Sequence, residues 1–167
     1  MAFLGNPAAV RCISPDMRGW FVIALFVGLV SFAALGTDNR FRRKSHTWKH
    51  RLLVVFSPSA NHPGALRQHD FFEQSAVGFR ERELLYVPVV AGETTMVRQQ
   101  RVDDEAQAAL RKEFGVESSA FAVLLIGKDG GVKLRRESPV ASDELFALID
   151  SMPMRQQEMR RGAAGQP

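Results

Sequence analysis

The polar residues best suited to chemistry lie in one short stretch, between an apolar run that ends at Phe56 and an amphipathic run that starts at Ala65. They are Ser57, Ser59, Asn61 and His62. A serine beside a histidine suggests nucleophilic catalysis, but the sequence has no suitably spaced acid and no G-x-S-x-G motif. Because backbone N–H groups at the start of a helix attract anions, the loop 57–64 predicts a small-anion or hydrolytic site. The alternative is an ordinary polar turn that leads into a helix.

Two histidines, His46 and His50, flank Trp48 at a spacing that would place both rings on one face of a helix. A structural zinc site takes four ligands from cysteine, histidine and carboxylate side chains, and no third ligand is apparent nearby. The sequence also contains no H-E-x-x-H motif, no phosphate-binding glycine loop and no dinucleotide fingerprint. It therefore predicts neither a metal site nor a cofactor.

Thiol chemistry is limited by the single cysteine, Cys12, which lies upstream of an uncharged apolar segment at residues 20–35. A membrane-spanning helix needs about 20 apolar residues and a signal-peptide core about 7–15, so the length of this segment leaves both open. The small residues Ala34 and Gly36 favour a signal peptide that is cleaved after Gly36. Our hypothesis is that translation starts at Met17. We predict export to the periplasm or cell exterior. The alternative is an anchor formed by an uncleaved transmembrane helix.

The net charge of +4 is concentrated rather than spread along the chain. One basic cluster follows the apolar segment and consists of Arg40, Arg42, Arg43 and Lys44. A second, near the C-terminus, consists of Arg155, Arg160 and Arg161. Such clusters are attracted to anionic surfaces, so the first predicts contact with an anionic membrane surface, and the alternative is a solvated, solubilising segment. Nucleic-acid binding is not expected, because the basic residues are not interleaved with stacking aromatic residues.

The hydrophobic pattern that must position these residues alternates between strands and helices. Strands are predicted at 51–56, 84–90, 121–126 and 132–137, and helices at 65–82, 103–115 and 142–153. Residues 91–102 are predicted to be a polar connection, Ser142 a helix cap and Pro153 a helix end. The order β-α-β-α-β-β-α predicts an α/β fold of thioredoxin-like type, a four-stranded mixed sheet with helices on both faces.

The same pattern divides the chain into segments. A signal peptide or hydrophobic membrane segment is predicted at 1–36 and a basic linker, which docks through Trp48, at 37–50. The thioredoxin-like domain is predicted at 51–154 and a basic disordered tail at 155–167.

Three stretches carry a resemblance to a known family: RLLVVFSPSANHP, FGVESSAFAVLLIGKDGGVKLR and LFALIDSMPMRQQEMR. Together they resemble the bacterial domain of unknown function 4174 family. That family is thioredoxin-like and related to the peroxiredoxin-like domains of secreted animal matrix proteins. The resemblance covers residues 48–160 and implies the fold that the element order predicts.

The resemblance also implies where related enzymes would carry their thiols. The two thioredoxin cysteine positions fall on Asn61 and Gly64, and the peroxiredoxin position falls on Ala65. The proline that thioredoxins carry before their third strand corresponds to Ala122. A helix N-terminus activates a thiol by lowering its pKa, but none of these positions carries a cysteine. The resemblance therefore implies a protein that is not a redox enzyme. We therefore predict an exported, non-catalytic module that binds an unknown protein partner.

Overall fold

The computed structural model describes residues 39–164 as six strands and five α-helices. The strands are β1 (Arg51–Ser57), β2 (Leu84–Val90), β3 (Thr95–Val97), β4 (Gln100–Val102), β5 (Ala122–Ile126) and β6 (Val132–Arg136). The helices are α1 (Pro63–Gln74), α2 (Ala76–Glu81), α3 (Asp104–Phe114), α4 (Ser142–Asp150) and α5 (Pro153–Ala164), preceded by a 3-10 turn at Arg43–His46.

Four of the strands form one mixed sheet in the order β2-β1-β5-β6. Strand β1 runs parallel to β2 and antiparallel to β5, which is in turn antiparallel to β6. A parallel pair requires a crossover, which α1 and α2 supply, whereas a tight turn suffices between β5 and β6. The predicted α/β class and thioredoxin-like, four-stranded mixed sheet are confirmed.

The central strand β1 has all seven residues buried because helices cover the sheet on both faces. Side chains alternate between the faces along a strand. Accordingly, Val54 and Phe56 pack in one core with residues of α3, and Leu53 and Val55 pack in the other with Phe79 of α2 and the buried residues of α4. A continuous apolar run such as that of β1 is typical of a strand buried on both faces.

Several element boundaries differ from the prediction. The helix predicted at 65–82 is broken at Ser75, whose backbone leaves the helical region. The predicted polar connection contains the β3–β4 hairpin. Ser142 does not cap α4. Its hydroxyl donates instead to the carbonyl of Phe71 in α1 at 2.9 Å. Pro153 begins α5 rather than ending a helix, a position where proline loses no hydrogen bond.

The predicted linker is part of the fold from Asn39 onward. The ring of Phe41 is 3% exposed in the core beneath α3, and its backbone N–H donates to the carbonyl of Arg101 at 2.7 Å. Trp48, predicted to dock, is 67% exposed. The polar, basic composition of this segment did not indicate that Phe41 is buried and that Trp48 faces solvent. The predicted boundary at residue 51 is therefore wrong.

The predicted C-terminal tail is also folded over residues 155–164, where it forms most of α5. Glu158 of this helix accepts hydrogen bonds from Arg51 at 3.1 and 3.2 Å and from Lys128 at 2.7 Å. Arg155 donates to Asp150 at 3.1 Å. Because these partners lie on β1, on the β5–β6 turn and on α4, polar contacts attach a helix that has no buried residue.

Within residues 39–164 no helix has both the length and the apolar character that a membrane crossing requires. The predicted signal peptide or membrane segment, with Cys12 and Met17, lies outside the described residues.

The carboxylates that hold α5 predict how stability depends on pH. Although partial burial raises it, hydrogen bonds from Lys128 and Arg51 hold the pKa of Glu158 below its ordinary value of 4.5. Burial likewise raises the pKa of Asp150, and Arg82 and Arg155 lower it further than burial raises it. A carboxyl whose pKa is lower in the folded state stabilises the fold above its unfolded pKa, and this contribution is lost as the pH falls through the folded pKa.

We therefore expect Tm to be nearly constant down to about pH 5 and to fall at lower pH, as thermal unfolding followed by circular dichroism between pH 3 and 7 would measure. The Glu158→Gln variant, which cannot titrate at this position, should show a smaller acid-induced decrease. A wild-type Tm that rises on acidification would contradict the expectation.

Candidate functional site

The predicted site lies where β1 ends and α1 begins. Ser57, the last residue of β1, is fully buried, and its hydroxyl donates to the carbonyl of Ser59 at 2.6 Å. The same hydroxyl accepts from the backbone N–H of Ser59 at 3.4 Å. The Ser57 hydroxyl is therefore engaged within its own loop and is not presented as a nucleophile.

His62 caps α1. Its Nδ1 accepts a hydrogen bond from the backbone N–H of Gly64 at 3.1 Å, which places the ring proton on Nε2 in the neutral imidazole. The ring stacks on Phe121, with the centroids 4.9 Å apart and the planes 15° apart. Within residues 39–164 no carboxylate forms an ion pair with His62, so the arrangement contains no acid to orient a general base.

Gly64, where the resemblance would place the second thioredoxin thiol, is covered by an aromatic ring. A Cβ atom built at Gly64 would lie 3.0 Å from two carbons of the Phe121 ring. Phe121 directly precedes Ala122, the first residue of β5. The ring that stacks on His62 thus also occupies the space that a side chain at position 64 would need.

Of the predicted loop residues, the structure brings Ser57, Ser59 and His62 into one hydrogen-bonded turn. Asn61 is exposed, and no hydrogen bond within the described part of the chain engages its side chain. Ser57, Ser59 and His62 therefore stabilise the loop and the start of α1, and the binding role of these residues stays a prediction.

Arg111 of α3 is a site residue that sequence reasoning missed. Its guanidinium donates to the carbonyls of Ser57 at 2.9 Å, Val89 at 3.2 Å and Glu117 at 2.7 Å. It also lies over the ring of Phe56, and burial lowers the pKa of Arg111. One side chain thereby joins the ends of β1 and β2 to the segment before β5. A lone arginine in a charged helix carries no sequence signal for this role.

Two members of the predicted anion-contacting cluster are paired with acids of α3. Arg40 forms ion pairs with Asp103 at 2.9 Å and Glu105 at 2.6 Å. Arg43 pairs with Glu113 and donates to the carbonyl of Gly130 at 3.2 Å. Arg42 and Lys44 have exposed side chains. The positive charge that this cluster directs to solvent is smaller than its composition suggests.

The two histidine rings lie close together, but no third metal ligand accompanies them among residues 39–164. The Nδ1 atoms of His46 and His50 lie 3.3 Å apart, and Nε2 of His46 lies 2.8 Å from Oε1 of Gln100. Burial, followed by the charge of Arg98, lowers the pKa of His50. Among residues 39–164 no group of three or more histidine, cysteine or carboxylate side chains is arranged to hold a metal ion.

Comparison with known proteins identifies the family of this chain. The family described as "Domain of unknown function (DUF4174)" matches residues 43–158. The chain belongs to this family. The matched part of the DUF4174 domain runs from the 3-10 turn to Glu158, so it includes the docked part of α5 that ion pairs hold against β1.

Animal proteins contain related regions. The chain is 30% identical over 114 residues to "Sushi repeat-containing protein SRPX2" of Xenopus laevis, an alignment that covers 66% of this chain and 25% of the relative. It is 26% identical over 137 residues to "Coiled-coil domain-containing protein 80" of Danio rerio, covering 72% and 15% respectively. The DUF4174 domain thus aligns with a quarter or less of these relatives, and the resemblance to secreted animal proteins is confirmed as distant homology.

An open cavity of the DUF4174 domain lies beside β2, away from the tip of the predicted loop. It has a volume of about 670 Å³ and lies between α1 and α2 on one side and β3 on the other. Its walls include Leu66 and Met96, which are 50% and 53% exposed. We call it the β2 groove, defined by Leu66, Phe72, Tyr86, Pro88, Met96 and the flanking Arg80 and Arg98.

The contact at Gly64 gives a testable expectation. Gly64→Ala would press a methyl group against Phe121, and we expect the free energy of unfolding to fall by about 1 kcal/mol, since overpacking outweighs the helix propensity gained. Chemical denaturation would measure the change. Gly162→Ala in α5 is the matched control, because a Cβ there meets nothing within 4 Å. Equal effects of the two substitutions would contradict the expectation.

Proposed function

We propose that this chain is exported and acts as a non-catalytic thioredoxin-like module that binds another protein. The observation that carries the proposal is the contact between Gly64 and Phe121. In a thiol enzyme of this fold the helix N-terminus must present a sulfur to its substrate. Here the corresponding positions hold Asn61, Gly64 and Ala65, and the surface above Gly64 is covered by the Phe121 ring.

The internal bonding of the loop supports the same proposal over the anion-binding or hydrolytic alternative. Anion binding at a helix start uses free backbone N–H groups, but the N–H of Gly64 donates to His62. Hydrolysis would need the Ser57 hydroxyl, which donates to Ser59. A ligand would have to displace both contacts.

Protein binding is supported by apolar surface elsewhere on the domain. Monomeric proteins rarely expose large contiguous apolar patches unless these bind a partner. The β2 groove combines exposed Leu66 and Met96 with the partly buried rings of Phe72 and Tyr86.

Export is supported by the uncharged segment at residues 20–35 and by the distant homology to secreted animal proteins. A C-terminal alkaline phosphatase fusion, with sequencing of the mature N-terminus, tests both export and cleavage. Phosphatase activity with an N-terminus after Gly36 is the expected result. An inactive fusion would contradict export, and an intact N-terminus would favour the membrane-anchored alternative.

The absence of redox catalysis is tested by insulin-disulfide reduction and peroxide consumption with the purified full chain. We expect neither activity above the rate without protein. The Cys12→Ser variant is the control, because it removes the single thiol that the chain encodes. Turnover by the unmodified chain would contradict the proposal, and its loss in Cys12→Ser would assign that activity to the thiol.

A further inference from the structure

Backbone strain in the described part of the chain is concentrated at one end of the sheet. Among residues 39–164, three residues other than glycine have a positive φ: Trp48 at 67°, Glu83 at 48° and Arg98 at 55°. Bulky residues rarely adopt this left-handed conformation, because it brings Cβ close to a backbone carbonyl oxygen. Strained residues of this kind cluster at functional sites. The end of the sheet that carries them is therefore a candidate functional surface.

The three residues surround the start of β1. Trp48 belongs to the turn that leads into this strand, and its N–H donates to the carbonyl of Lys128 at 2.6 Å. The side chain of Lys128 in turn pairs with the carboxylate of Glu83. Burial, followed by the charge of Arg98, lowers the pKa of His50, which directly precedes β1. The strained residues thus lie together, at the opposite end of β1 from the loop that leads into α1.

Trp48 is strained without a compensating contact in the fold. Glu83 pairs with Lys128, and Arg98 begins the short turn between β3 and β4, so both have a structural reason for their conformation. Trp48 is instead 67% exposed, and within residues 39–164 its indole forms no hydrogen bond, ring contact or cation–π contact. Glycine or asparagine would relieve the strain and expose less apolar surface. A tryptophan at this position therefore suits an intermolecular contact better than it suits the fold.

Exposed cations accompany the indole. Lys44 and Lys49 lie in the same turn as Trp48. Their side chains and that of Arg98 are exposed, and none of the three forms an ion pair within the described part of the chain. The carboxylate of Glu83 is already held by a buried lysine. We call this surface the Trp48 face, defined by Lys44, Trp48, Lys49 and Arg98.

The combination of side chains on the Trp48 face matches a lipid surface better than a protein surface. Protein interfaces also use tryptophan as an anchor, but lysine is depleted from them. At a membrane surface an indole lies at the level of the headgroups, and lysine extends its ammonium group toward the charged layer. The Trp48 face also follows the uncharged segment 20–35 closely in the chain. Basic residues that follow such a segment are attracted to anionic lipid.

From these observations we propose that the Trp48 face docks on an anionic lipid surface, with the indole among the headgroups and Lys44, Lys49 and Arg98 beside the lipid phosphates. The contact does not depend on whether the segment 20–35 is cleaved, because all four residues of the face belong to the folded domain. The inference goes beyond the proposed function, since a lipid contact at this end leaves the rest of the domain open to a protein partner.

The test uses the full chain with Trp20→Phe, which leaves Trp48 as its single tryptophan. The protein is incorporated into vesicles of phosphatidylglycerol or of phosphatidylcholine, each prepared with and without brominated lipid. Because the segment 20–35 is predicted to enter either lipid, the readout is the environment of Trp48 rather than binding. With phosphatidylglycerol we expect emission at a shorter wavelength and at least twofold quenching by brominated lipid. With phosphatidylcholine we expect the emission of an indole in water.

Charge reversal in the turn is the decisive variant. Each basic residue near an anionic surface strengthens the attraction about fivefold, so Lys44→Glu with Lys49→Glu should remove the quenching. Arg67→Glu with Lys112→Glu, at exposed positions of α1 and α3, is the matched control and should retain it. Circular dichroism establishes that both variants are folded.

Three results would overturn the proposal: equal quenching in the two lipids, quenching that survives reversal of the two lysines, or the emission of an indole in water with both lipids. The last would favour a protein partner for the Trp48 face. None of these results bears on the redox assays or the export fusion, so failure of lipid docking is distinguishable from failure of the proposed function.

Trp48→Asn separates a docking role from a structural one. Asparagine adopts a positive φ more readily than tryptophan, and the exposed indole has no contact to lose that would stabilise the fold. Thermal unfolding of the full chain is therefore expected to give a Tm at or above that of the unmodified protein. A lower Tm would show that the fold itself requires the indole, and would overturn the inference that Trp48 serves an intermolecular contact.

Discussion

Glu158→Gln is expected to lower the free energy of unfolding by about 3 kcal/mol, the lower end of the range for removing one partner of a buried ion pair. The Arg51 side chain is 1% exposed, and two of its nitrogens donate to Glu158. Glutamine keeps the shape of the side chain but leaves the buried guanidinium without its negative partner. The effect lies at the lower end because Glu158 retains 26% exposure and Lys128 keeps its pair with Glu83.

Urea denaturation followed by circular dichroism would measure this change. The matched control is Glu144→Gln, which makes the same substitution at an exposed ion pair with Arg136 at 3.6 Å. Exposed pairs contribute about 0–1 kcal/mol, so the control should be nearly neutral. If both substitutions had equal effects, the network of Arg51 and Glu158 would not stabilise the fold as the geometry indicates.

Gln68→Ala is expected to lower the free energy of unfolding by about 2–3 kcal/mol, because it leaves two buried backbone groups unpaired. Gln68 is fully buried in α1, and its side-chain amide hydrogen-bonds both the N–H and the carbonyl of Val140. Its Nε2 donates to the carbonyl of Val140 at 3.0 Å, and its Oε1 accepts from the N–H of Val140 at 2.7 Å. The Gln68 amide therefore pairs with the backbone of the segment between β6 and α4 in the way that a neighbouring strand would.

Gln74→Ala, on the exposed surface at the end of the same helix, is the matched control. Alanine is the better helix former, so this substitution should be neutral or slightly stabilising. Chemical denaturation of both variants gives the comparison. A Gln68→Ala effect below about 1 kcal/mol, the net contribution of a single ordinary hydrogen bond, would show that solvent replaces the lost partner.

The two substitutions test the attachment of the segments that follow the sheet. Val140 leads into α4, and Glu158 belongs to α5. The family match ends at Glu158. Loss of either attachment should release C-terminal structure before the sheet itself unfolds, which hydrogen exchange of α5 amides would detect as earlier loss of protection.

Much of the fold could be predicted from local sequence. The continuous apolar run of β1 predicted a strand buried on both faces. Asp103, whose carboxylate accepts from the N–H of Ala106 at 3.1 Å, and Gly115, with φ of 59°, mark the two ends of α3 as their residue types predict. The glycine-rich segment before β6 is typical of a tight turn between two paired strands. In each case the signal lies within a few residues of the structure it predicts.

Other features could not be predicted because they depend on contacts between distant residues. The β3–β4 hairpin has strands of three residues each, too short for a periodic pattern. The basic composition around Phe41 and in α5 indicated solvated segments. Instead, Phe41 is buried beneath α3, and Glu158 pairs with an arginine that is 107 residues away along the chain.

The sequence by itself determined that the chain encodes one cysteine, Cys12, and that the stretch between the first strand and the first helix carries none, because residue identity needs no coordinates. It also determined the order of the four strands of the main sheet and of the helices between them, which follows from hydrophobic periodicity. Only the tertiary structure decided what covers the start of α1, namely the Phe121 ring against Gly64 and His62. It also decided where apolar surface is left open. Both depend on how separate strands and helices pack, which no local pattern specifies.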